Sequence, residues 1–188
     1  MKASFRIDLF GKIFFMKYSI IDKPHTYTIG IASRCKDNKH VVFLDWDCVD
    51  LEIVRSDVRY IQEMFNLGDF YIFKSSQKPD GYHAICLTKV PFGELTNIHS
   101  HTTCDYAFKN AIKGFSEKAW VLRCVKKGGS DTPIFIEKIV HKSKREKNLA
   151  RAIFLKQYYG IDINIDDTFD REKEALFTKY KTAKCKKV

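Results

Sequence analysis

Two aspartates, Asp45 and Asp47, close a short apolar run, Val41-Val42-Phe43-Leu44. In an extended chain, residues two apart point to the same face, about 6.5–7 Å from each other. The two carboxylates therefore project together, while Leu44 and Trp46 face the other way. Two like charges on one side of an apolar strand repel and are costly unless a cation or water compensates. Hard oxygen donors at a strand end suit Mg2+ or Mn2+, which bridge to substrate phosphates. The plainer alternative is a pair of solvated aspartates at a fraying strand end, and D-x-D is short enough to recur by chance.

Two further places could supply chemistry. Ser75-Ser76-Gln77-Lys78-Pro79-Asp80-Gly81 is a turn that leads into Tyr82-His83. A histidine there, with Ser75 and Lys78 in the turn, could hold nucleotide phosphates; an ordinary hairpin with a half-exposed histidine is the competing reading. Arg123 alternates with Leu122 and Cys124, and its planar fork suits phosphate, with a surface salt bridge as the alternative. Asp105 in Thr103-Cys104-Asp105-Tyr106 reads on the residues alone as a helix N-cap. Asp131 lies in a Gly-Ser turn and reads as a turn residue.

The elements that must position these residues follow from period and punctuation. Alternation over Phe5–Leu9 and over Tyr27–Ile31 predicts two early strands, and Val41–Asp47 an interior one. Leu51, Val54, Val58, Ile61 and Phe65 recur at helical spacing after Asp50, and Gly68 is the expected stop. Strands follow at Phe70–Phe73 and Tyr82–Val90, joined through Pro79-Asp80-Gly81. A helical region lies within Phe92–Phe115, then strands at Trp120–Val125 and Ile134–Ile139. Ser143-Lys144-Arg145-Glu146 matches a capping box and predicts a helix through Tyr158, closed by Gly160. The lysine-rich tail beyond Ile161 reads as a frayed basic arm.

From residue 41 the first six elements form a βαββαβ order, so the expected fold is α+β. It has a ferredoxin-like, RRM-like antiparallel core, extra N-terminal strands and a C-terminal helical extension. The expected division is a catalytic unit at 1–140 and a basic helical extension with its tail at 141–188. With 45% hydrophobic and 30% charged residues, the chain is not of disordered composition. Lys+Arg 33 against Asp+Glu 23 gives +10, which favours a polyanionic partner, nucleic acid first. Six scattered cysteines without a C-x-x-C pair argue against a zinc ribbon and for reduced structural thiols. Charges at Arg6, Asp8, Lys12 and Lys17 interrupt the N-terminal apolar stretch, so a soluble intracellular protein without a membrane partner is expected.

A strand ending in D-x-D, a serine-containing turn leading to Gly81-Tyr82-His83, and a later Asp with a downstream strand Arg resembles the archaeo-eukaryotic primase superfamily. The resemblance is closest to the primase-polymerase domains of archaeal plasmids and viruses, and covers about residues 40–140. It implies template-directed, two-metal nucleotidyl transfer on single-stranded DNA. Asp45, Asp47 and Asp105 would be the catalytic residues and the ligands of Mg2+ or Mn2+. His83, Arg123, Ser75 and Lys78 would hold the nucleoside triphosphate; Lys144, Arg145, Lys147 and Arg151 would contact the template, and a helicase or other replication protein could be a partner. One rival is a replication-initiator nuclease of the His-hydrophobe-His type, using His99, His101 and Tyr158 or Tyr159, although Ser100 stands between the histidines. The other is a non-catalytic single-strand-binding module stacking bases on Tyr71 or Phe73.

Overall fold

The computed structural model describes residues 2–9, 12–19, 27–75, 81–111, 119–124, 132–171 and 177–181, with the backbone alone at 2–9, 12–19, 27–29 and 177–181. The strands are β1 (Lys2–Leu9), β2 (Lys12–Ser19), β3 (Tyr27–Ala32), β4 (His40–Trp46), β5 (Phe70–Lys74), β6 (Tyr82–Val90), β7 (Val121–Arg123), β8 (Ile134–Ile139) and β9 (Phe177–Lys181). The helices are α1 (Leu51–Phe65), α2 (Phe92–Ser100), α3 (Tyr106–Asn110) and α4 (Leu149–Tyr159). The fold class is α+β, and every named strand pairing is antiparallel.

β1 and β2 form a hairpin, β3 lies between β7 and β9, and the central sheet has the order β4-β6-β5-β8. The β4-α1-β5-β6 portion is a split βαβ unit, with β6 inserted between the strands that α1 connects. A ferredoxin-like sheet would return its next strand to the outer edge of β4. Here β7 pairs with β3 instead, and β8 joins beyond β5. The outer edge of β4 is already used: its Phe43 carbonyl meets the His99 ring Nε2 at 2.9 Å, and its Asp45 carbonyl accepts from the Asp105 N–H at 2.8 Å.

β4, expected in the sheet interior, is an edge strand of the central sheet, yet Val41, Val42, Phe43, Leu44 and Trp46 are all fully buried because other elements cover it. α1 lays Val54, Val58 and Ile61 on the sheet, each burial stabilising by about 1.5–3 kcal/mol. The helix stops at Asn66, in the left-handed conformation (φ 48), two residues before the expected Gly68. Gly68 has another duty. Its N–H donates to Thr88 Oγ1 at 2.9 Å, and a Cβ there would stand 3.2 Å from that oxygen.

The C-terminal segment departs most from expectation. α4 begins at Leu149, capped by Asn148, whose side chain accepts from the Arg151 N–H at 3.0 Å. The Ser143 match does not open a helix, because residues 146–148 run extended beside the end of β6. Lys89 N–H donates to the Glu146 carbonyl and Asn148 N–H to the Leu87 carbonyl. β5 pairs with β6 only as far as Cys86, so this stretch of β6 needs another partner. Gly160 does close α4 (φ 67). Ala152, Leu155, Ile161 and Ile163 belong to the same core as the sheet, so the expected extension is integral to the fold. Two strands, β2 and β9, also stand where none was expected. Among the described residues, no helix is long and apolar enough to cross a membrane.

Candidate functional site

The β4–β6 register sets Asp45 directly opposite His83, and the β5–β6 register sets His83 opposite Phe73. The Asp45 carbonyl points outward to Asp105, so Asp45 and His83 form a pair not bridged by backbone hydrogen bonds, the kind whose side chains lie closest. His83 Nε2 stands 3.1 Å from Asp45 Oδ1. The imidazole is about nine-tenths buried, whereas the carboxylate keeps a quarter of its surface exposed.

Asp47 lies just past the end of β4, exposed, in a bend completed by Cys48 at φ 59. Asp105 is a helix cap: its Oδ1 accepts from the Phe108 N–H at 2.9 Å and opens the short α3. Its own backbone N–H binds the Asp45 carbonyl, so the cap and the strand end are fastened together. The loop that carries Asp105 is held by a residue the sequence did not single out. Asp57 on α1 accepts from Trp46 Nε1 at 3.0 Å, from the Thr103 N–H at 2.6 Å and from the Thr103 hydroxyl at 2.8 Å. Nothing local announces Asp57, because its partners lie 11 and 46 residues away.

Of the residues expected to hold a triphosphate, His83 is at the site. Ser75 is buried, and its backbone N–H donates to the Gly81 carbonyl at the base of the hairpin. Lys78 lies outside the described residues, as does Asp131. Arg123 is buried on β7 opposite Gly30. Its charge reaches the Tyr159 hydroxyl, which burial pushes upward, with Cys124 and Tyr158 adding and Arg123 opposing. The Tyr159 ring packs 4.7 Å from Phe73, the strand neighbour of His83. A chain of neighbours thus runs from Asp45 through His83 and its strand partner Phe73 to Tyr159.

The expected nucleic-acid contacts divide sharply. Lys144 is exposed. Arg145 instead makes a fork with Glu94 and donates to the Phe65 carbonyl, tying the chain to α1 and α2. Lys147 is partly buried, 3.6 Å from Asp166 and over the Phe169 ring. Arg151 is fully buried and donates to the carbonyls of Ala32 and Arg34 and to Asn148 Oδ1. It fastens a loop and cannot reach a template.

Both rival arrangements fail on geometry. His99 is buried against Trp120 at 4.3 Å, and burial lowers its pKa to about 4, with Lys109 adding and the Phe43 carbonyl opposing. His101 is exposed at the end of α2, on the Asn97 carbonyl, so the two histidines do not converge. Tyr71 and Phe73 are essentially inaccessible, which removes the stacking platform.

Among the described residues, no group of three or more His, Cys, Asp or Glu side chains is placed to hold a metal ion. The donor chemistry of Asp45 and Asp47 still suits a hard divalent cation. Mg2+ is commonly held by one or two carboxylates, with water and substrate phosphates completing its shell, and does not require a three-residue cage. Comparison with protein-family models, with curated proteins and with solved structures finds no match to this chain.

Proposed function

We propose that this chain is a nucleotidyltransferase of the primase-polymerase kind, extending or starting a strand on a single-stranded DNA template from nucleoside triphosphates. The observation that carries the reading is the cross-strand pair of Asp45 and His83, with the Asp105 loop hydrogen-bonded to the Asp45 backbone. A carboxylate and an imidazole donor side by side, at the end of a strand, meet the two needs of a triphosphate site: a place for a cation and a donor for phosphate oxygen. Asp45 and Asp47 would hold Mg2+ or Mn2+. When bound there, such an ion stabilises the charge that develops on a phosphoryl oxygen. His83 donates through Nε2 to a phosphate oxygen. Arg123 adds positive charge from the neighbouring sheet. Asp105 acts by holding the strand end in position, with its carboxylate spent on capping α3. The net charge of +10 favours a polyanionic template, and exposed Lys144 is the template contact retained from the basic segment.

Incubation of the protein with single-stranded template, labelled nucleotides and Mg2+ or Mn2+ tests the reading. Template-dependent product is expected, and an Asp45→Ala/Asp47→Ala variant should lose about 10²–10³-fold of the rate. No product from the intact protein, or undiminished product from the variant, overturns it.

A further inference from the structure

Asp45 is occupied before any ligand arrives. His83 Nε2 stands 3.1 Å from Oδ1, and the β4–β6 register makes this contact the default of the fold. Asp45 remains partly exposed, so its carboxylate is reachable from solvent while one of its oxygens is engaged. We infer that His83 is an internal competitor for the cation site, and that Asp45 is released when His83 turns to a phosphate. The inference rests on the proposed role of Asp45 and Asp47 as cation-holding carboxylates.

The physical argument is one of exclusive occupancy. A divalent ion held by Asp45 would repel a hydrogen on His83 Nε2, 3.1 Å from the same carboxylate. The ion therefore binds against the cost of breaking the pair. A nucleoside triphosphate changes the balance, because its oxygens are charged acceptors for the same N–H. Once His83 donates to phosphate, both Asp45 oxygens are free. Each ligand then improves the site for the other by the same factor, as linkage requires. No bond is made or broken covalently. His83 is in this sense a positioning residue that sets the order of binding.

The coupling predicts behaviour without nucleotide and without turnover. Mn2+ alone is titrated into the full chain and followed by the loss of the free-ion paramagnetic resonance signal. His83→Asn and His83→Gln should each bind Mn2+ about tenfold more tightly than the unaltered protein, and Asp45→Asn should bind it at least tenfold more weakly. In the unaltered protein, side-chain 15N spectra should show the His83 Nε2 resonance moving on addition of Mg2+ as the contact to Asp45 breaks; this readout needs no variant to fold. If Asp45→Asn weakens Mn2+ binding but the His83 variants do not strengthen it, and the resonance stays still, the competition is overturned and the cation site survives. Equal Mn2+ affinity of Asp45→Asn and the unaltered protein overturns both.

Discussion

β6 carries a polar side chain near each end, and the two ends are treated in opposite ways. At one end His83 has one carboxylate partner, Asp45, which stays partly exposed. At the other, Lys89 Nζ is 4% exposed and lies 2.7 Å from Asp170, 2.9 Å from Asp37 and 3.3 Å from Glu146, with Lys39 adding a second contact to Glu146. Asp170 also accepts from Asn148 Nδ2 and the Leu149 N–H. The lysine end is saturated, joining the loop after β3, the stretch before α4 and the turn at residue 170. The histidine end has capacity left over. A buried charge with all its partners serves the fold, whereas a charge pair with open acceptors can serve a ligand.

The largest effect should come from emptying the saturated end. Lys89→Met leaves Asp170, Asp37 and Glu146 facing one another and should lower unfolding free energy by about 3–5 kcal/mol in urea. A loss below about 1 kcal/mol would erase the contrast. Next comes acid. His40 and His99 are both brought down to about 4, chiefly by burial, with Arg34 and Arg151 adding at His40 and Asp37 opposing. The unfolded chain binds these protons near pH 6.5 and the folded chain does not, so stability rises with pH across this window and falls as pH drops from 6.5 towards 4. His99 alone accounts for up to about 3 kcal/mol of that fall. Asp37, Glu146 and Asp170 are held below the ordinary carboxylate range. Burial acts first but upward at Asp37 and Asp170, where bonds to Lys89 and nearby N–H groups outweigh it; at Glu146 the bond to Lys39 leads. Their contribution is intact above their unfolded values and is lost as pH falls below about 4. Urea midpoints at pH 7, 5.5 and 3.5 should show both steps, and Lys89→Met should flatten the lower one.

Arg151→Met removes a buried donor from the Ala32 and Arg34 carbonyls and should cost about 1–3 kcal/mol. Binding of labelled single-stranded DNA by the folded variant should keep its salt dependence, while Lys144→Ala should reduce the slope by about 1. The smallest effect belongs to the open end. Asp45→Asn should change stability by less than about 1 kcal/mol, measured in the same urea series. A loss as large as that of Lys89→Met would make the Asp45–His83 pair structural.

Where the chain announces itself locally, the sequence is readable. β4, α1, β5 and β6 follow from apolar period, while the expected turn at Pro79-Asp80 lies outside the described residues; strand alternation sets Asp45 against Trp46. What depends on distant partners is not readable. β9 hides in a lysine-rich tail because its pairing with β3 spans about 150 residues. The Ser143 capping match yields to a backbone ladder with β6 that no local pattern encodes. Arg145 and Arg151 look like solvent-facing basic residues until Glu94, Ala32 and Arg34 are brought beside them. For Asp105, the helix-cap alternative is the one the structure shows, and its contact with Asp45 is made by the backbone amide rather than by the carboxylate.

The fastening of the β4 edge also bears on self-association. An edge strand with free carbonyls and N–H groups is a template for another strand, and a buried apolar run such as Val41–Leu44 would be a hazardous one to leave open. The His99 ring and the Asp105 amide occupy two carbonyls of that edge. Loss of the end of α2 and the loop after it, which present them, would uncover both the candidate site and an apolar strand edge, so the same few residues guard solubility and chemistry.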